Sequence, residues 1–221
     1  MPYPDKLQFA ISKLIESRYL ESDDNVSGCL IQNEKQSYIL IETKDTGYTE
    51  LTVMVPRTNV CITEFDNFPK WGIVNLNREI GMGKAVDHVV LTQSDNGKWN
   101  AYLIEMKTSM GAQTFEHVRQ KTRANYYSVK ALCVYLGIQI NDDDFYVYVT
   151  YEELKKPVDT AVLKAPLGIA PKNVIKSEWE RNRIIINIPE ELELHLHPVK
   201  MQKQSSQNSP SGTALVGSIT L

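Results

Sequence analysis

The chain has few cysteines, no long apolar run and no excess of positive charge, and each absence narrows its class. The three cysteines, Cys29, Cys61 and Cys133, lie far apart. Their odd number and wide spacing exclude a disulfide framework and a zinc-binding pattern, and predict reduced core residues in a cytoplasmic protein. No apolar stretch approaches the roughly 20 residues of a membrane span. We therefore expect no association with a membrane. The first residues lack a basic segment followed by an uninterrupted apolar core, so no secretion signal is expected either.

The charge balance is slightly acidic. With 24 Lys and Arg against 27 Asp and Glu, the formal net charge is −3. Proteins that bind nucleic acid are usually basic, because phosphate contacts supply most of their affinity. The balance therefore counts mildly against nucleic acid, but it is compatible with an enzyme that combines a local basic face with acidic metal ligands. A length of 221 residues with 42% hydrophobic content predicts a soluble globular protein with one sizeable core.

Periodicity and turn signals predict a chain that mixes helices and strands. Apolar residues with helical spacing predict helices over 5–20 and 113–136, and the second is expected to end at Gly137. Shorter apolar runs predict strands on both sides of a turn at 94–97. Further strands are expected at 28–31, 37–43, 50–55, 59–65, 143–151, 183–188 and 192–197.

The domain organisation follows from these elements. Residues 1–200 are expected to form a single domain. The segment 68–81 is ambiguous, and a short helix closed by Gly81 is one interpretation. Residues 201–221 begin with a polar stretch rich in Ser and Gln, which predicts a flexible tail.

Three charged residues interrupt the apolar pattern of the hairpin predicted over 84–107. Asp87 lies at the head of one run, and Glu105 and Lys107 lie at the tail of the next. Buried charges cost free energy unless they are paired, hydrogen-bonded or bound to a metal. Because residues two apart on a strand share a face, Glu105 and Lys107 are expected to point the same way.

The turn between the two strands decides whether Asp87 and Glu105 meet. A three-residue loop at 95–97, with Gly97 in the left-handed conformation, would place Asp87 directly opposite Glu105. Their Cβ atoms would then lie about 4.5–5.5 Å apart, where like charges need a cation between them. A two-residue turn would instead bring Asp87 opposite Met106 and break the site.

Asp87 and Glu105 offer only oxygen atoms as ligands, which indicates a hard cation, Mg²⁺ or Mn²⁺. Two carboxylates and a backbone carbonyl can hold Mg²⁺ while the ion keeps several waters. One of those waters can be lowered in pKa and directed at a phosphorus atom. Lys107 could orient or deprotonate that water, or stabilise the negative charge that develops on the phosphate.

The stretches "VDHVVL" and "LIEMK" resemble the motif of the PD-(D/E)XK nuclease superfamily, in which an Asp on one strand is followed by Glu-x-Lys on the next. The resemblance covers about 70–151, and Val86 stands where the family motif has Pro. It implies an α/β fold with a mixed α+β sheet. The expected fold is a restriction-endonuclease-like core with an N-terminal helix and β-hairpin additions.

The resemblance also implies roles for individual residues. Asp87 and Glu105 would be metal ligands, the carbonyl of Met106 a further ligand, and Lys107 the catalytic lysine. Many family members take another acidic ligand from the helix before the motif. Two glutamates compete for this role, and either could equally be a surface residue: Glu79, which is the preferred candidate, and Glu16.

The helix predicted over 113–136 carries basic and amide side chains beside the motif. Arg119 and Arg123 lie one turn apart, with Gln120 next to them. The functional interpretation is a nucleic-acid-binding face that grips phosphate, and the resemblance supports it because the family often places such residues on this helix. An ordinary solvated helix face explains the same residues.

A second copy of the pattern occurs in "YILIETK", where Asp24 precedes Glu42 with the same separation as in the later copy. The context favours the later copy, because a long helix and a strand follow Lys107, whereas further strands follow Lys44. Asp24 also lies in a turn-like segment, where Asp is common. Glu42 and Lys44 are therefore expected to be solvated residues at a strand end.

Together these features predict a Mg²⁺-dependent nuclease that hydrolyses phosphodiester bonds of nucleic acid, DNA rather than RNA, in restriction, defence or mobile-element processing. Because cutting two strands needs two sites, a homodimer is one expected assembly, and a basic partner subunit is another. The first alternative is a nuclease-like scaffold that binds nucleic acid or protein with its site unused. The second is an unrelated α+β interaction protein, in which both Glu-x-Lys triplets are strand ends away from any cleft.

Overall fold

The structure is a computed structural model that describes residues 7, 10, 37–44, 47–56, 58–63, 65, 83–155, 177–187, 191–207, 209 and 211–221. Leu7 and Ala10 are helical, as expected for the helix over 5–20. Among the described residues, no helix is both long and apolar enough to cross a membrane. Several predicted features lie outside the described residues: the strand at 28–31, the segment 68–81, Glu16, Glu79 and Asp24.

The described residues form twelve strands and one long helix. The helix is α1 (Ala112–Leu136). The strands are β1 (Ser37–Lys44), β2 (Gly47–Met54), β3 (Asn59–Ile62), β4 (His88–Gln93), β5 (Trp99–Glu105), β6 (Ser109–Met110), β7 (Phe145–Tyr151), β8 (Glu153–Leu154), β9 (Arg183–Asn187), β10 (Glu191–Lys200), β11 (Gln202–Ser205) and β12 (Thr213–Thr220).

The strands build two larger sheets and a small one. The six-stranded sheet has the order β3-β4-β5-β7-β10-β9, the four-stranded sheet has the order β1-β2-β12-β11, and β6 pairs with β8. In the six-stranded sheet, β7 runs parallel to its neighbours β5 and β10, and the other pairs are antiparallel. The prediction of a mixed α/β fold is therefore confirmed.

The six-stranded sheet is covered on both faces, because alternate side chains enter two different cores. Along β4 and β5, Val89 and Leu103 belong to the core that includes Phe115 and Val129 of α1. The intervening side chains belong to a second core with residues of β1, β2 and β12: Val90, Tyr102 and Ile104. Any odd-numbered residue of this hairpin is thus directed to the helix side of the sheet.

Helix α1 lies where the apolar spacing predicts it. The members of its predicted stripe are all buried, namely Phe115, Val118, Thr122, Tyr126, Val129, Leu132, Cys133 and Leu136. The helix ends at Gly137, whose φ of 70° is left-handed, and the N–H of Ile138 donates to the carbonyl of Cys133 at 2.8 Å. This glycine satisfies the last carbonyls of the helix and directs the chain back toward β7.

The prediction of a flexible tail over 201–221 is wrong. β11 and β12 pair with each other, and β12 also pairs in parallel with β2, from Leu215 opposite Thr49 to Thr220 opposite Met54. Only the segment before β12 has the Ser- and Gln-rich composition of a tail, whereas Leu215 and Ile219 are buried apolar residues. The polar composition of β11 agrees with its position at an edge of the sheet, where its side chains are exposed.

The cysteines that the structure describes are core residues, as predicted. Cys61 and Cys133 are buried, and neither forms a disulfide. Burial raises the pKa of the Cys133 thiol to about 12, which keeps this thiol protonated at neutral pH.

Candidate functional site

The turn of the β4–β5 hairpin is the three-residue loop that the site requires. The N–H of Ser94 donates to the carbonyl of Lys98 at 2.9 Å, and Gly97 has a φ of 83°. The resulting register pairs His88 with Ile104 and Gln93 with Trp99. Extended by one residue, the same register brings Asp87 opposite Glu105, so the two-residue alternative is excluded.

Asp87 and Glu105 therefore lie on the helix side of the sheet, and both are buried. Glu105 has no exposed surface, and Asp87 is 7% exposed. Asp87 lies just before β4, and its Oδ2 atom accepts a hydrogen bond of 2.6 Å from the backbone N–H of Met106. This bond ties the start of β4 to the end of β5 and fixes the Asp87 carboxylate beside that of Glu105.

Lys107 is the third member of the predicted motif and lies directly beyond the end of β5. Its backbone is held by Thr150 of β7: the N–H of Lys107 donates to Oγ1 at 2.8 Å, and Oγ1 donates to the carbonyl of Lys107 at 3.1 Å. Its ammonium forms an ion pair with Glu105, donates to the carbonyl of Met106 at 3.1 Å, and lies 4.0 Å from Oδ2 of Asp87. The structure thus brings all three motif side chains together.

A fourth charged residue, Lys121 of α1, enters the same site, and the sequence did not indicate that this basic residue of the helix would contact the carboxylates. Its Nζ atom lies 2.7 Å from Oε1 and 2.9 Å from Oε2 of Glu105, and 3.3 Å from Oδ1 of Asp87. No motif marks this lysine. The signal that could have found it is charge balance, because two buried carboxylates require two cations and Lys107 supplies only one.

The electrostatics of the site follow from this geometry. Burial, and then the charge of Asp87, raise the pKa of Glu105, although the ammonium groups of Lys107 and Lys121 oppose the shift. Burial works to lower the pKa of Lys121, but the carboxylates of Glu105 and Asp87 outweigh it, so the pKa of Lys121 is raised. The four side chains form a compact network whose two negative and two positive charges cancel.

The space between the carboxylates fits a cation. One ammonium already contacts both Asp87 and Glu105, and the carbonyl of Met106 lies on the same side, within hydrogen-bond distance of Lys107. The two carboxylates and the carbonyl of Met106 are the groups that could hold Mg²⁺ or Mn²⁺. Within the part of the chain that the structure describes, no cluster of three or more His, Cys, Asp or Glu side chains could hold a metal. The additional ligand predicted at Glu79 falls outside that part.

The structure does not place Arg119 and Arg123 on an exposed face of α1, as the predicted phosphate-binding face requires, because both residues are buried. Arg119 forms ion pairs with Glu116, one turn earlier on α1, and with Glu178 at 2.7 Å. Glu178 also accepts a hydrogen bond from the backbone N–H of Ile185 at 3.1 Å. Arg119 therefore joins α1 to the segment at β9. Its position four residues after Phe115 places it on the apolar stripe, which was the available signal.

Gln120 lies at the border of the site with a different set of basic neighbours. Its Oε1 atom accepts a hydrogen bond from Nζ of Lys84 at 2.8 Å. The pKa of the nearby His117 is lowered, first by loss of solvent around its ring and then by positive charge. The charges that lower it are those of Lys84, Lys107 and Lys121. Positive charge near the carboxylates therefore comes from lysines around His117 and not from the two arginines.

The earlier copy of the motif has a different environment. Glu42 lies on β1, at the edge of the four-stranded sheet, where it pairs with Thr49 of β2 and is half-buried. β2 follows β1 directly, whereas β5 is followed by α1, whose Lys121 contacts Glu105. The predicted strand-end position of Lys44 is confirmed, because it is the last residue of β1.

Comparison with known proteins does not assign the chain to a family. It has no significant match among protein-family models, among curated proteins or among solved structures. The function must therefore be argued from the site itself.

Proposed function

We propose that the chain is a metal-dependent nuclease that hydrolyses phosphodiester bonds of nucleic acid, DNA rather than RNA. The observation that carries the proposal is the convergence of Asp87, Glu105 and Lys107 at one end of the β4–β5 hairpin, on the side of the sheet covered by α1. The element order β3, β4, β5, α1, β7, interrupted only by the two-residue strand β6 before α1 and by one 3-10 turn before β7, and the parallel pairing of β7 with β5 support a restriction-endonuclease-like core of the PD-(D/E)XK type.

In this proposal Asp87, Glu105 and the carbonyl of Met106 would hold Mg²⁺ or Mn²⁺. When bound, the ion would supply a water of lowered pKa and would neutralise charge on the phosphate. The buried position of Glu105 excludes competing bulk water from its carboxylate, and the Met106 N–H orients the carboxylate of Asp87.

Lys107 is proposed as the catalytic lysine. Hydrolysis forms a bond between a water oxygen and phosphorus and breaks the bond between phosphorus and the sugar oxygen. The attacking water loses a proton, and the leaving oxygen gains one. The Lys107 ammonium, held by Thr150 through its backbone and 20% exposed at its side chain, can donate hydrogen bonds to the phosphate while the charge develops.

One observation favours a second candidate, a nuclease-like scaffold that binds nucleic acid or protein and leaves its site unused. Lys107 and Lys121 together neutralise Asp87 and Glu105, so the site is charge-balanced without a metal. A site of this kind could be retained for stability alone, and only an assay of cleavage separates the two candidates.

The test is cleavage of supercoiled plasmid, single-stranded DNA and RNA by the purified chain with Mg²⁺, with Mn²⁺ or with a chelator. We expect metal-dependent cleavage of DNA that falls at least about 10²-fold in Asp87→Asn and in Lys107→Ala. Asp95→Asn is the matched control, because Asp95 is exposed in the loop at the other end of the same hairpin. The ratio of linear to nicked plasmid reports whether both strands are cut in one encounter, as expected for a homodimer.

Two results would contradict the proposal. Cleavage that persists in Asp87→Asn or Lys107→Ala would mean that another site, or a contaminant, is responsible. A wild-type chain that is folded but cleaves none of the three substrates with either metal would favour the scaffold.

A further inference from the structure

Lys121 is the one described side chain whose charged group contacts both carboxylates of the site within 3.3 Å. Its Nζ atom lies 2.7 Å and 2.9 Å from the two oxygens of Glu105 and 3.3 Å from Oδ1 of Asp87. Lys107 contacts Glu105 but is 4.0 Å from Asp87. The Lys121 ammonium therefore occupies the position between the carboxylates that a metal ion would take.

The charge balance of the site disfavours binding a divalent ion while both lysine ammonium groups are in place. With both lysines in place, the four side chains sum to zero charge. A divalent ion would bring the sum to plus two within a buried space, where repulsion is weakly screened. One ammonium must leave if the metal is to bind.

The structure identifies Lys121 as the ammonium that leaves. The backbone of Lys107 is fixed on both sides by the hydroxyl of Thr150, and its ammonium also has the carbonyl of Met106 as a partner. Lys121 reaches the carboxylates from α1 through four methylene groups, and its ammonium contacts are with Asp87 and Glu105. The two lysine side chains are equally exposed, at 21% and 20%, so the difference between them lies in their partners. Its backbone carbonyl is held by Asn125 at 2.5 Å, which anchors the helix turn but not the ammonium.

We propose that Lys121 is an exchangeable internal cation. In the metal-free protein it neutralises Asp87 and Glu105, and a divalent ion binds only by displacing it. Lys121 thereby sets the metal concentration at which the site fills. This inference rests on the proposed function, because it requires the carboxylates to be metal ligands.

The experiment measures Mn²⁺ binding directly, by the loss of the free-ion signal in electron paramagnetic resonance, with the full chain and no substrate. We expect Lys121→Met to bind Mn²⁺ at least about 10-fold more tightly than the wild type, since the competing ammonium is gone. Lys130→Met is the matched control, because it removes an ammonium from the same helix and breaks an ion pair with Asp142. Its Mn²⁺ affinity should stay within about 2-fold of the wild-type value, because Lys130 does not contact the site.

A second measurement keeps the inference testable if Lys121→Met folds poorly without metal. Thermal unfolding of Lys121→Gln, in which a polar side chain can still donate a hydrogen bond, is followed with and without Mn²⁺. We expect its melting temperature without metal to fall below that of the wild type. Mn²⁺ should then raise the melting temperature of the variant more than that of the wild type.

The outcomes separate this inference from the proposed function. If the wild type and both Lys121 variants bind Mn²⁺ with equal affinity, or the variants bind it more weakly, Lys121 is not a competitor but the metal site stands. If neither the wild type nor the variants bind Mn²⁺ at millimolar concentration, the metal site and the inference both fail.

Discussion

Two strands of the molecule each carry the Glu of a Glu-x-Lys triplet at or near their last residue, and yet they lie in different surroundings. On β1, Glu42 is half-buried at the edge of the four-stranded sheet. On β5, Glu105 is fully buried in the interior of the six-stranded sheet, next to Asp87 and beneath α1. The triplet alone therefore does not define a site. On β5, the structure shows a second carboxylate, that of Asp87 just before the neighbouring strand β4, and a helix whose Lys121 contacts both carboxylates.

The comparison leads to a general expectation for the two sheets. Changes of the charged residues near β5 should reduce the cleavage rate of the folded protein, because the proposed metal ligands and the catalytic lysine are there. Changes in the four-stranded sheet should reduce stability and leave the cleavage rate of the folded protein unchanged. The predictions below test this division, from the largest expected effect to the smallest.

The largest effect is expected when the two glutamates are neutralised separately. Glu105→Gln removes a proposed metal ligand, so cleavage should fall by about 10³-fold or more. Glu42→Gln removes the corresponding carboxylate of β1, and its cleavage rate should stay within about 2-fold of the wild-type rate. Both rates are measured on plasmid DNA under saturating Mg²⁺. Equal losses in the two variants would erase the distinction between the strands.

The second prediction concerns the other buried charge cluster on α1. Arg119→Met leaves Glu116 and Glu178 buried without their shared partner, which should lower the free energy of unfolding by about 3–5 kcal/mol. The measurement is equilibrium unfolding in urea. Mn²⁺ affinity of the folded variant should be unchanged, because Arg119 does not contact Asp87 or Glu105. A variant as stable as the wild type would show that the cluster is not structural.

The same variant has a predictable pH dependence. Burial raises the pKa of Glu116, while the charges of Arg119 and Arg123 lower it. Removing Arg119 takes away an opposing charge, so the pKa of Glu116 should rise further above its value of about 4.3 in the unfolded chain. The folded variant then binds more protons than the unfolded chain, so its stability falls as pH rises through this interval. The destabilisation should be smaller at pH 5 than at pH 7.

The third prediction places a moderate change in the four-stranded sheet. A Cβ atom at Gly217 of β12 would overlap the sulfur of the buried Met201 and lie 3.6 Å from Leu51. Gly217→Ala should therefore cost about 1–3 kcal/mol of stability, with no change in the cleavage rate per folded molecule. The double variant Gly217→Ala with Met201→Ala should lose less stability than the two single losses added together, because the contact is shared.

The smallest effect is expected at the turn that sets the register of the hairpin. Gly97 has a φ of 83°, so Gly97→Ala should cost about 1 kcal/mol. Gly97→Asn should cost less, because Asn tolerates the left-handed conformation. Cleavage should persist in both variants, since strand pairing from His88 to Gln93 holds the register once it has formed. Thermal unfolding and the plasmid assay check the two expectations.

Much of the fold could be predicted because it depends on local patterns. The stripe of α1 and the glycine at its end locate the helix, and the loop before Lys98 fixes the pairing of β4 with β5. The pairing of β12 with β2 could not be predicted, since it joins segments far apart in the chain and depends on which surfaces remain uncovered. The polar stretch before β12 has the composition of a flexible tail, so no local pattern indicated the pairing between β12 and β2.

Part of the candidate site could also be predicted from local patterns, and part could not. Asp87, Glu105 and Lys107 belong to neighbouring strands, where alternation and register determine which side chains meet. Lys121 comes from a helix whose rotation against the sheet is set by packing, and no spacing rule gives that angle. The charge of Arg119 suggests an exposed position, but its place on the apolar stripe agrees with the buried ion pairs that it forms with Glu116 and Glu178.

The parallel pairing of β12 with β2 has a consequence for how the protein is made. Leu215 cannot meet Thr49 until nearly all of the intervening chain has left the ribosome. Until then β2 lacks the neighbour on its side away from β1, and Leu215 and Ile219 are missing from the core that contains Leu51 and Val53. Completion of this sheet therefore waits until the chain from β3 to β12 has been made. Translation that stops before β12 would leave β2 with an unpaired edge, which can pair with strands of other nascent chains.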